Sequence, residues 1–235
     1  MITLYQFPRM FDIPNMSPFC LKLETFLRMA ELSYDIVEVN DPRSAPLGKL
    51  PYIQDGDKTL PDSQLIIEYL TNEYGIMLDS HLSSEEKAIA HSFNMMMGEH
   101  YYWALLYSRW VDDNWEKVKA EFFGQLPPLV KTFVPVMIQK QMKSNLEAQG
   151  TGRLEPHALY ELANQDIKAV AAYLGDKSFF MGDRPSSIDA TLFAFTANVL
   201  LPDLPGPLKA CLQRYENLVA YTHRMMALYY AEFLA

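Results

Sequence analysis

The chain has 235 residues, with 20 basic and 29 acidic side chains and a formal net charge of −9 at pH 7. This length allows one large domain or two small ones, and 49% hydrophobic with 21% charged residues excludes extensive disorder. The acidic charge disfavours a broad surface for nucleic acid or anionic lipid. Two cysteines, Cys20 and Cys211, exclude a disulfide framework. Finding neither a basic leader nor an apolar run of about 18 residues, we expect a cytoplasmic protein without a membrane span.

Residues 1–80 alternate between strand and helix patterns. An apolar strand is predicted over 2–7, and a helix begins at Ser17-Pro18, with Ser as N-cap and Pro at the first helical position. A second strand is predicted over 34–39. Two more strands flank Asp55-Gly56-Asp57, a composition typical of a tight hairpin, and another helix begins near Ser63. The order βαβ then ββα predicts a parallel pair with a crossover helix, followed by an antiparallel hairpin.

The rest of the chain carries helical periodicity only. Ser83 and Glu86 have capping-box spacing and open a helix predicted to reach about residue 115. Prolines 127, 128 and 135 are expected to break the next stretch before a helix over 136–147. A turn at 150–152, helices over 157–174 and 188–200, and closing helices from 208 complete the pattern. We therefore expect two domains, a mixed one over 1–78 and an all-α one over 83–235.

Four short motifs occur in an order that points to a known family. They are Ser17-Pro18-Phe19-Cys20 at the first helix, Leu50-Pro51 before the third strand, Asp62-Ser63 before the next helix, and the stretch 182–189 (GDRPSSID) before the apolar helix. With these motifs the chain resembles the cytosolic glutathione transferases. The resemblance implies an α+β thioredoxin-like N-terminal domain and an all-α C-terminal domain. It also assigns Ser186 and Asp189 to a helix-capping box rather than to chemistry.

Longer stretches narrow the resemblance. Residues 17–24 (SPFCLKLE), the turn 150–153 (GTGR) and residues 179–183 (FFMGD) are similar to the failed-axon-connections and metaxin-like branch of the family. Metaxins sit at the mitochondrial outer membrane, whereas no spanning or tail-anchor segment is evident in this sequence. The branch therefore allows a second reading, in which the fold serves partner contacts rather than catalysis.

The resemblance assigns catalysis to Ser17. Free glutathione thiol ionises near pH ~8.5, and a hydroxyl hydrogen bond together with a helix N-terminus favours the thiolate. Ser17 stands where both effects combine. The alternative is an ordinary helix N-cap with no ligand, and one hydroxyl can fill both roles because it has one donor and two acceptor sites.

The glutathione-binding residues are also assigned by resemblance. A cis Pro51 would turn the Leu50 backbone toward an extended peptide, as in strand addition, and Lys49 would neutralise the glycine carboxylate. The alternatives are a proline that simply begins a strand and a lysine that faces solvent. Ser63 would hold the γ-glutamyl carboxylate at a helix N-terminus and Asp62 would take the ammonium, with Gln64 as an accessory contact. Asp62-Ser63 is equally typical of an N-cap pair.

Three further groups complete the prediction. Cys20 is either a buried apolar residue or a redox-active thiol, although intramolecular dithiol exchange is excluded because Ser17 occupies the partner position. His100, Trp103 and Tyr107 share a helical face and are the predicted wall of the electrophile site, or else a core stripe. No metal is expected, because the His–Glu pairs at i, i+4 spacing lack a third ligand.

We therefore expect a glutathione-dependent transferase or peroxidase-like enzyme, active on a small apolar electrophile held between the domains. Glutathione is the expected cosubstrate, a homodimer is the expected assembly, and detoxification is the expected role. A non-catalytic scaffold of the same fold and thiol redox chemistry through Cys20 are the competing hypotheses. The first predicts a degraded glutathione site, and the second predicts that activity is lost in Cys20→Ala.

Overall fold

The computed structural model describes residues 1–234 and begins with a four-stranded sheet. Its strands are β1 (Ile2–Gln6), β2 (Tyr34–Glu38), β3 (Tyr52–Asp55) and β4 (Lys58–Pro61), in the spatial order β2-β1-β3-β4. Strand β1 pairs in parallel with β2 and antiparallel with β3, and β3 pairs antiparallel with β4. Helix α1 (Pro18–Met29) makes the crossover between β1 and β2, and α2 (Ser63–Glu73) follows β4. The predicted βαβ–ββα order is confirmed.

Local chemistry explains these elements. Asp55 pairs with Lys58, so the hairpin closes on Gly56-Asp57, and Gly56 has the positive φ of 57° that a tight hairpin turn needs. Leu4 and Ile53 face each other across β1 and β3 and are fully buried. The alternation of buried and half-buried residues along β1 therefore turns one face of the sheet toward the core.

Helices make up the rest of the described chain. After α2 come α3 (Ser84–Met95), a π-helical turn (Met96–Tyr101), α4 (Tyr102–Trp110), α5 (Trp115–Phe123), α6 (Pro128–Gln149), α7 (Pro156–Leu174), α8 (Ser187–Leu200), α9 (Pro207–Leu212) and α10 (Glu216–Tyr229). Residues 74–83 contain neither helix nor strand, and the predicted domain division at 78–83 stays a prediction. Within residues 1–234, none of the helices combines the length and the apolar character needed to cross a membrane.

Two predicted helices differ from those observed. The helix predicted over 83–115 is interrupted by the π-helical turn and ends at Trp110, where the N–H groups of Val111 and Asp112 both donate to the Tyr107 carbonyl. The helix predicted over 136–147 begins eight residues earlier, at Pro128. Proline at the first helical position has no N–H to satisfy, so Pro128 starts α6 rather than breaking it. Pro135 lies inside α6, which the expected break did not anticipate.

Helix α8 is the centre of the core, and every residue of it from Ile188 to Leu200 is buried. The predicted capping role of Asp189 is observed: its carboxylate accepts from the Ser186 N–H at 2.8 Å and from the Phe180 N–H at 2.8 Å. Helix α1 packs against α8, and one continuous hydrophobic cluster runs from Ile2 in the sheet to Tyr230 near the end of the chain. The two halves of the chain therefore share a core.

Candidate active site

Ser17 is the N-cap of α1. Its backbone is extended, with φ −87° and ψ 118°, and its Oγ accepts a hydrogen bond from the Cys20 N–H at 3.3 Å. Pro18 follows at the first helical position, which fixes where the helix starts. Because the cap uses an acceptor site of the hydroxyl, the O–H of this half-buried serine can turn either to the Cys20 thiol or to a ligand.

The loop before Ser17 is held by a chain of amide contacts. The Ser17 N–H donates to Asn15 Oδ1 at 2.9 Å, and Asn15 Nδ2 donates to the Phe7 carbonyl at 2.7 Å. From α8, Asn198 Nδ2 donates to the Asn15 carbonyl at 3.1 Å. The position of Ser17 is therefore fixed by the residue that follows β1, by its own loop and by the core helix α8.

Arg109 on α4 reinforces this loop. Its Nη1 donates to the Met16 carbonyl at 2.6 Å, and its Nη2 donates to the Asn198 carbonyl at 2.9 Å and to Asn198 Oδ1 at 2.8 Å. The side chain forms no ion pair with any carboxylate in residues 1–234, and burial lowers its pKa to about 10. Arg109 is thus a buried cation that donates to two backbone carbonyls and one amide oxygen, and it contacts Met16, the residue before Ser17.

Cys20 lies one turn into α1 and is fully buried. It packs against Ala45 and Leu50, and burial raises the pKa of its thiol to about 12, although hydrogen bonds with Ser17 and the Phe7 backbone act in the opposite direction. A thiol with so high a pKa stays protonated near neutral pH and is a weak nucleophile. These observations favour the buried apolar interpretation of Cys20 over the redox one.

The Leu50–Pro51 peptide bond is cis, as expected. Leu50 and Pro51 are buried, whereas Lys49 is exposed to solvent. Because Leu50 belongs to the cluster that contains Cys20, the dipeptide lies against the first turn of α1. The roles of Lys49 and Leu50 in ligand binding stay predictions.

Asp62 caps α2 and has an unusual backbone. Its Oδ1 accepts from the Gln64 N–H at 2.8 Å and from the Leu65 N–H at 3.2 Å, so one carboxylate oxygen serves the helix end. Its φ of 70° is in the left-handed region, which non-glycine residues adopt mainly where surrounding structure imposes it, often at functional sites. Ser63 is 4% exposed and takes no part in this cap. Helix capping and ligand binding are compatible here, because the second carboxylate oxygen of Asp62 remains unused by the cap.

The Ser17, Leu50–Pro51 and Asp62–Ser63 segments all lie near the N-terminal half of α1. Cys20 packs against Leu50, and Lys22 Nζ donates to Gln64 Oε1 at 2.9 Å, which ties α1 to the start of α2. The three motifs are far apart in the sequence, and the fold brings them to the same helix. The roles of the Ser17 hydroxyl, the Leu50 backbone and the N-terminus of α2 in binding one extended ligand stay predictions.

The predicted electrophile wall is only partly brought to this site. His100 Nδ1 lies 2.6 Å from Asp166 Oδ2, and the Tyr107 ring lies 6.0 Å from the Tyr160 ring, so both residues contact α7. Burial raises the pKa of Asp166, and the hydrogen bond to His100 opposes that rise. His100 and Tyr107 share a face, but helical periodicity does not say which neighbour that face meets.

The face of α4 toward the first domain carries residues that the sequence analysis missed. The Tyr102 ring lies 5.0 Å from Phe19, two residues after Ser17, and Arg109 follows seven positions later on the same side. Trp103 stacks edge-on against Tyr102, at 5.4 Å, and its role in the wall stays a prediction. The sequence offered one indication of this face, since Arg109 is the only charged residue in the stretch 104–110.

A second missed feature is an apolar cluster over the loop that leads to Ser17. Ile13 and Met16 pack against Val118 on α5 and Leu204, with partly buried Met10, Phe11, Trp115 and Phe122 around them. Helix α5 therefore covers the β1–α1 loop. This cluster is an apolar surface beside the loop that leads to Ser17, and the electrophile wall of His100, Trp103 and Tyr107 stays a prediction.

In residues 1–234, no group of three or more His, Cys, Asp or Glu side chains is arranged to hold a metal ion. The His81–Glu85 and His157–Glu161 pairs therefore lack a third ligand within the described chain.

Family profiles match both halves of the chain. The profile described as "Glutathione S-transferase N-terminal domain" matches residues 18–115, and that described as "Glutathione S-transferase, C-terminal domain" matches residues 163–225. The first match includes Pro51, Asp62 and Ser63, and the second includes Ser186 and Asp189.

Individual relatives cover nearly the whole chain. The isoprene-epoxide–glutathione S-transferase of Rhodococcus sp. (strain AD45) is 31% identical over 97% of this chain and 99% of its own length. Failed axon connections of Drosophila melanogaster is 29% identical over 95% of this chain, which spans 57% of that protein. Metaxin-1 of Mus musculus is 28% identical over 93% of this chain and 72% of its own length.

Solved structures agree in fold. The glutathione S-transferase CsGST63524 of Ceriporiopsis subvermispora, determined in complex with glutathione, superposes with a TM-score of 0.64 at 22% identity, covering 100% of this chain and 98% of that one. At this identity the likeness concerns the fold alone. The chain belongs to the glutathione S-transferase superfamily, and its relatives there include the failed-axon-connections and metaxin proteins.

Proposed function

We propose that this protein is a glutathione-dependent transferase in which the Ser17 hydroxyl stabilises the glutathione thiolate. The observation that carries the proposal is the geometry of Ser17, a half-buried N-cap whose O–H donor is not used by the cap and whose loop is held by contacts from both halves of the chain. A hydroxyl donor and the positive end of α1 both favour a thiolate over a thiol. Each unit by which the thiol pKa falls corresponds to about 1.4 kcal/mol.

In the proposed reaction the thiolate sulfur forms a bond to an electrophilic carbon while that carbon's bond to its leaving atom breaks. The substrate class is a small apolar electrophile, and an epoxide is one member, in line with the name of the Rhodococcus relative. Opening of an epoxide leaves an alkoxide oxygen, which takes a proton from water. The apolar cluster that contains Met10, Phe11 and Trp115 supports an apolar substrate, since it borders the loop leading to Ser17.

The remaining site residues have proposed roles in binding. Ser63 and the N-terminus of α2 hold the γ-glutamyl carboxylate, the free oxygen of Asp62 takes the ammonium, and Leu50 pairs with the cysteinyl backbone. Lys49, which is exposed, faces the glycine carboxylate. The free enzyme assembles as a homodimer in this proposal, which light scattering of the purified protein tests directly.

The test is glutathione binding by calorimetry, with thiolate absorbance followed against pH, on the wild type and on Ser17→Ala. We expect glutathione to bind and its thiol pKa to fall in the wild type, and the fall to shrink by one unit or more in Ser17→Ala. Ser83→Ala is the matched control, because it removes an equivalent N-cap hydroxyl from α3. This control should lower stability by about 1 kcal/mol and leave the bound thiol unchanged.

A second candidate function is a non-catalytic scaffold for protein contacts. The similarity to failed axon connections and metaxin-1 supports this alternative. Absence of glutathione binding by the wild type at about 1 mM, an affinity limit near −4 kcal/mol, would overturn the transferase proposal and favour the scaffold.

A further inference from the structure

A cleft of about 160 Å³ lies between the two halves of the chain, and Ser17 is not among the residues that line it. Residues of α1 and α2 line it on one side, and residues of α3 and α8 line it on the other. It is smaller than the roughly 300–1,000 Å³ typical of sites for drug-sized ligands. Any ligand that fits it is therefore small.

The cleft contains a buried cation. Lys22 is 5% exposed, and its Nζ donates to Gln64 Oε1 at 2.9 Å and to Asn94 Oδ1 at 3.0 Å. An ammonium group has three donors, so one donor is left after these two bonds. Lys22 forms no ion pair with a carboxylate anywhere in residues 1–234. Buried charges are ordinarily paired, because desolvation of an isolated ion costs several kcal/mol.

The two amide acceptors are themselves oriented. Asn94 Nδ2 donates to Gln64 Oε1 at 3.1 Å, and Thr191 Oγ1 donates to Asn94 Oδ1 at 2.8 Å. Both amide oxygens therefore point at Lys22 by virtue of partners on α2 and α8. The network fixes the ammonium group in the wall of the cleft without neutralising it.

Basic residues outnumber acidic ones in the lining of the cleft, although the carboxylates of Asp62, Glu68 and Glu99 act electrostatically on Lys22 from outside it. Lys87 and His91, one turn apart on α3, line it as well. The one acidic residue in its lining, Asp79, is engaged by α8, where the Ser187 N–H donates to Asp79 Oδ1 at 2.7 Å. A carboxylate with that partner is directed at the helix end rather than at Lys22.

We propose that this cleft binds a small oxyanion, either a carboxylate or a phosphate, through the free donor of Lys22. Lys87 and His91, on the α3 side of the cleft, offer further donors to an anion of two or more oxygens. Charge-assisted hydrogen bonds of this kind are stronger than those between neutral groups. The cleft shares Gln64, the accessory glutathione contact, with the proposed glutathione site, and its lining includes none of the other residues assigned to catalysis or to glutathione.

The experiment is calorimetric titration of the full chain with inorganic phosphate and, separately, with succinate, at constant ionic strength. Each titration is run with and without saturating glutathione. We expect one of the two probes to bind, to bind at least 10-fold more weakly to Lys22→Met, and to be unaffected by glutathione. Lys168→Met, which removes an exposed lysine from α7, is the matched control and should bind the probe like the wild type.

A second variant covers the case in which Lys22→Met fails to fold. Asn94→Asp puts a carboxylate at the atom that now lies 3.0 Å from Lys22 Nζ, so the protein itself supplies the anion. It should keep the fold, raise the melting temperature and abolish probe binding.

Three outcomes would overturn the proposal. They are probe binding that survives in both variants, displacement of the probe by glutathione, and absence of binding by either probe to the wild type. Displacement by glutathione would assign Lys22 to the glutathione site and leave the transferase proposal standing. The two proposals therefore fail separately.

Discussion

Lys22 and Arg109 are two buried cations that the fold treats differently. Each is 5–6% exposed, and neither forms an ion pair within residues 1–234. Arg109 donates to two backbone carbonyls and one amide oxygen, with Nε as its only nitrogen lacking a partner in the described chain. Lys22 donates to two side-chain amides and borders a cleft.

The difference lies in the acceptors. Carbonyls are fixed by the backbone, and a planar guanidinium that spans Met16 and Asn198 holds the two segments at one distance. Arg109 is therefore a positioning residue for the Ser17 loop. The ammonium of Lys22 is a point charge on a flexible stem, and it keeps a donor beside open space. Although the two side chains are equally buried, Arg109 makes a structural contact and Lys22 belongs to a proposed ligand site.

The largest effect is expected from Arg109→Met. It removes three hydrogen bonds from a charged donor and leaves the acceptors on Met16 and Asn198 buried, which should lower the free energy of unfolding by about 3 kcal/mol or more. The Ser17 loop loses its contact with α4, so glutathione turnover should fall as well. Urea denaturation and steady-state kinetics measure the two effects.

Two further variants sharpen that result. Arg109→Lys keeps the charge but loses the fork that reaches both segments, and should rescue little of the activity. Arg184→Met removes an exposed arginine and should change neither stability nor turnover. Normal turnover in a folded Arg109→Met protein would show that the loop does not need this contact.

A smaller effect is expected from Lys22→Met, and it depends on pH. Burial lowers the pKa of Lys22 to about 8 from 10.5, with an opposing effect from nearby carboxylates of Asp62, Glu68 and Glu99. Between these two pH values the unfolded chain holds a proton that the folded protein has released, so wild-type stability gains with rising pH. At pH 7 the variant should be more stable than the wild type, by on the order of 2 kcal/mol. This advantage should shrink as the pH approaches 10.

The difference in stability between the wild type and Lys22→Met separates the effect of Lys22 from that of the other ionisable groups. The other ionisable side chains that line the cleft are those of Asp79, Lys87 and His91. They are present in both proteins, so they cancel in the difference. Denaturation of wild type and variant at a series of pH values measures it. A difference that stays constant with pH would contradict the lowered pKa of Lys22.

The smallest effect is expected from Cys20→Ala, which tests burial without charge. The pKa of the Cys20 thiol is raised to about 12, so the thiol stays neutral and should resist iodoacetamide at about pH 8 until the protein unfolds. Turnover with glutathione should be unchanged in the variant, and stability should fall by about 1 kcal/mol. Mass spectrometry in a Cys211→Ala background assigns the modified residue. Rapid alkylation of Cys20 in the native protein, or loss of turnover in Cys20→Ala, would instead support thiol redox chemistry through Cys20.

The features predicted from sequence are those that short segments determine. Ser17 caps α1, Asp62 caps α2 and Asp189 reaches back to Ser186, because capping depends on residues two or three positions apart. The hairpin at Gly56 follows from the same local chemistry. The family resemblance supplied the cis Pro51, which no spacing argument gives.

What could not be predicted depends on contacts across the chain. Arg109 meets Met16 over 93 positions, and Lys22 meets Asn94 over 72. Periodicity grouped His100 with Tyr107 correctly, but only the packing of α4 shows that this face meets α7. The π-helical turn before α4 likewise left no signal in the apolar pattern.

The shared core has a consequence for how this protein can be taken apart. Helix α1 rests on α8, the Ser17 loop is fastened by Arg109 and Asn198, and Thr25 meets the Tyr230 hydroxyl at 3.0 Å. A chimera that grafts residues 1–78 onto the helical half of a relative would therefore contain Ser17 but not Arg109 and Asn198, which hold its loop in place. Residues that contact each other across the two halves therefore depend on one another. A substitution on one side of such a contact requires a matching substitution on the other side.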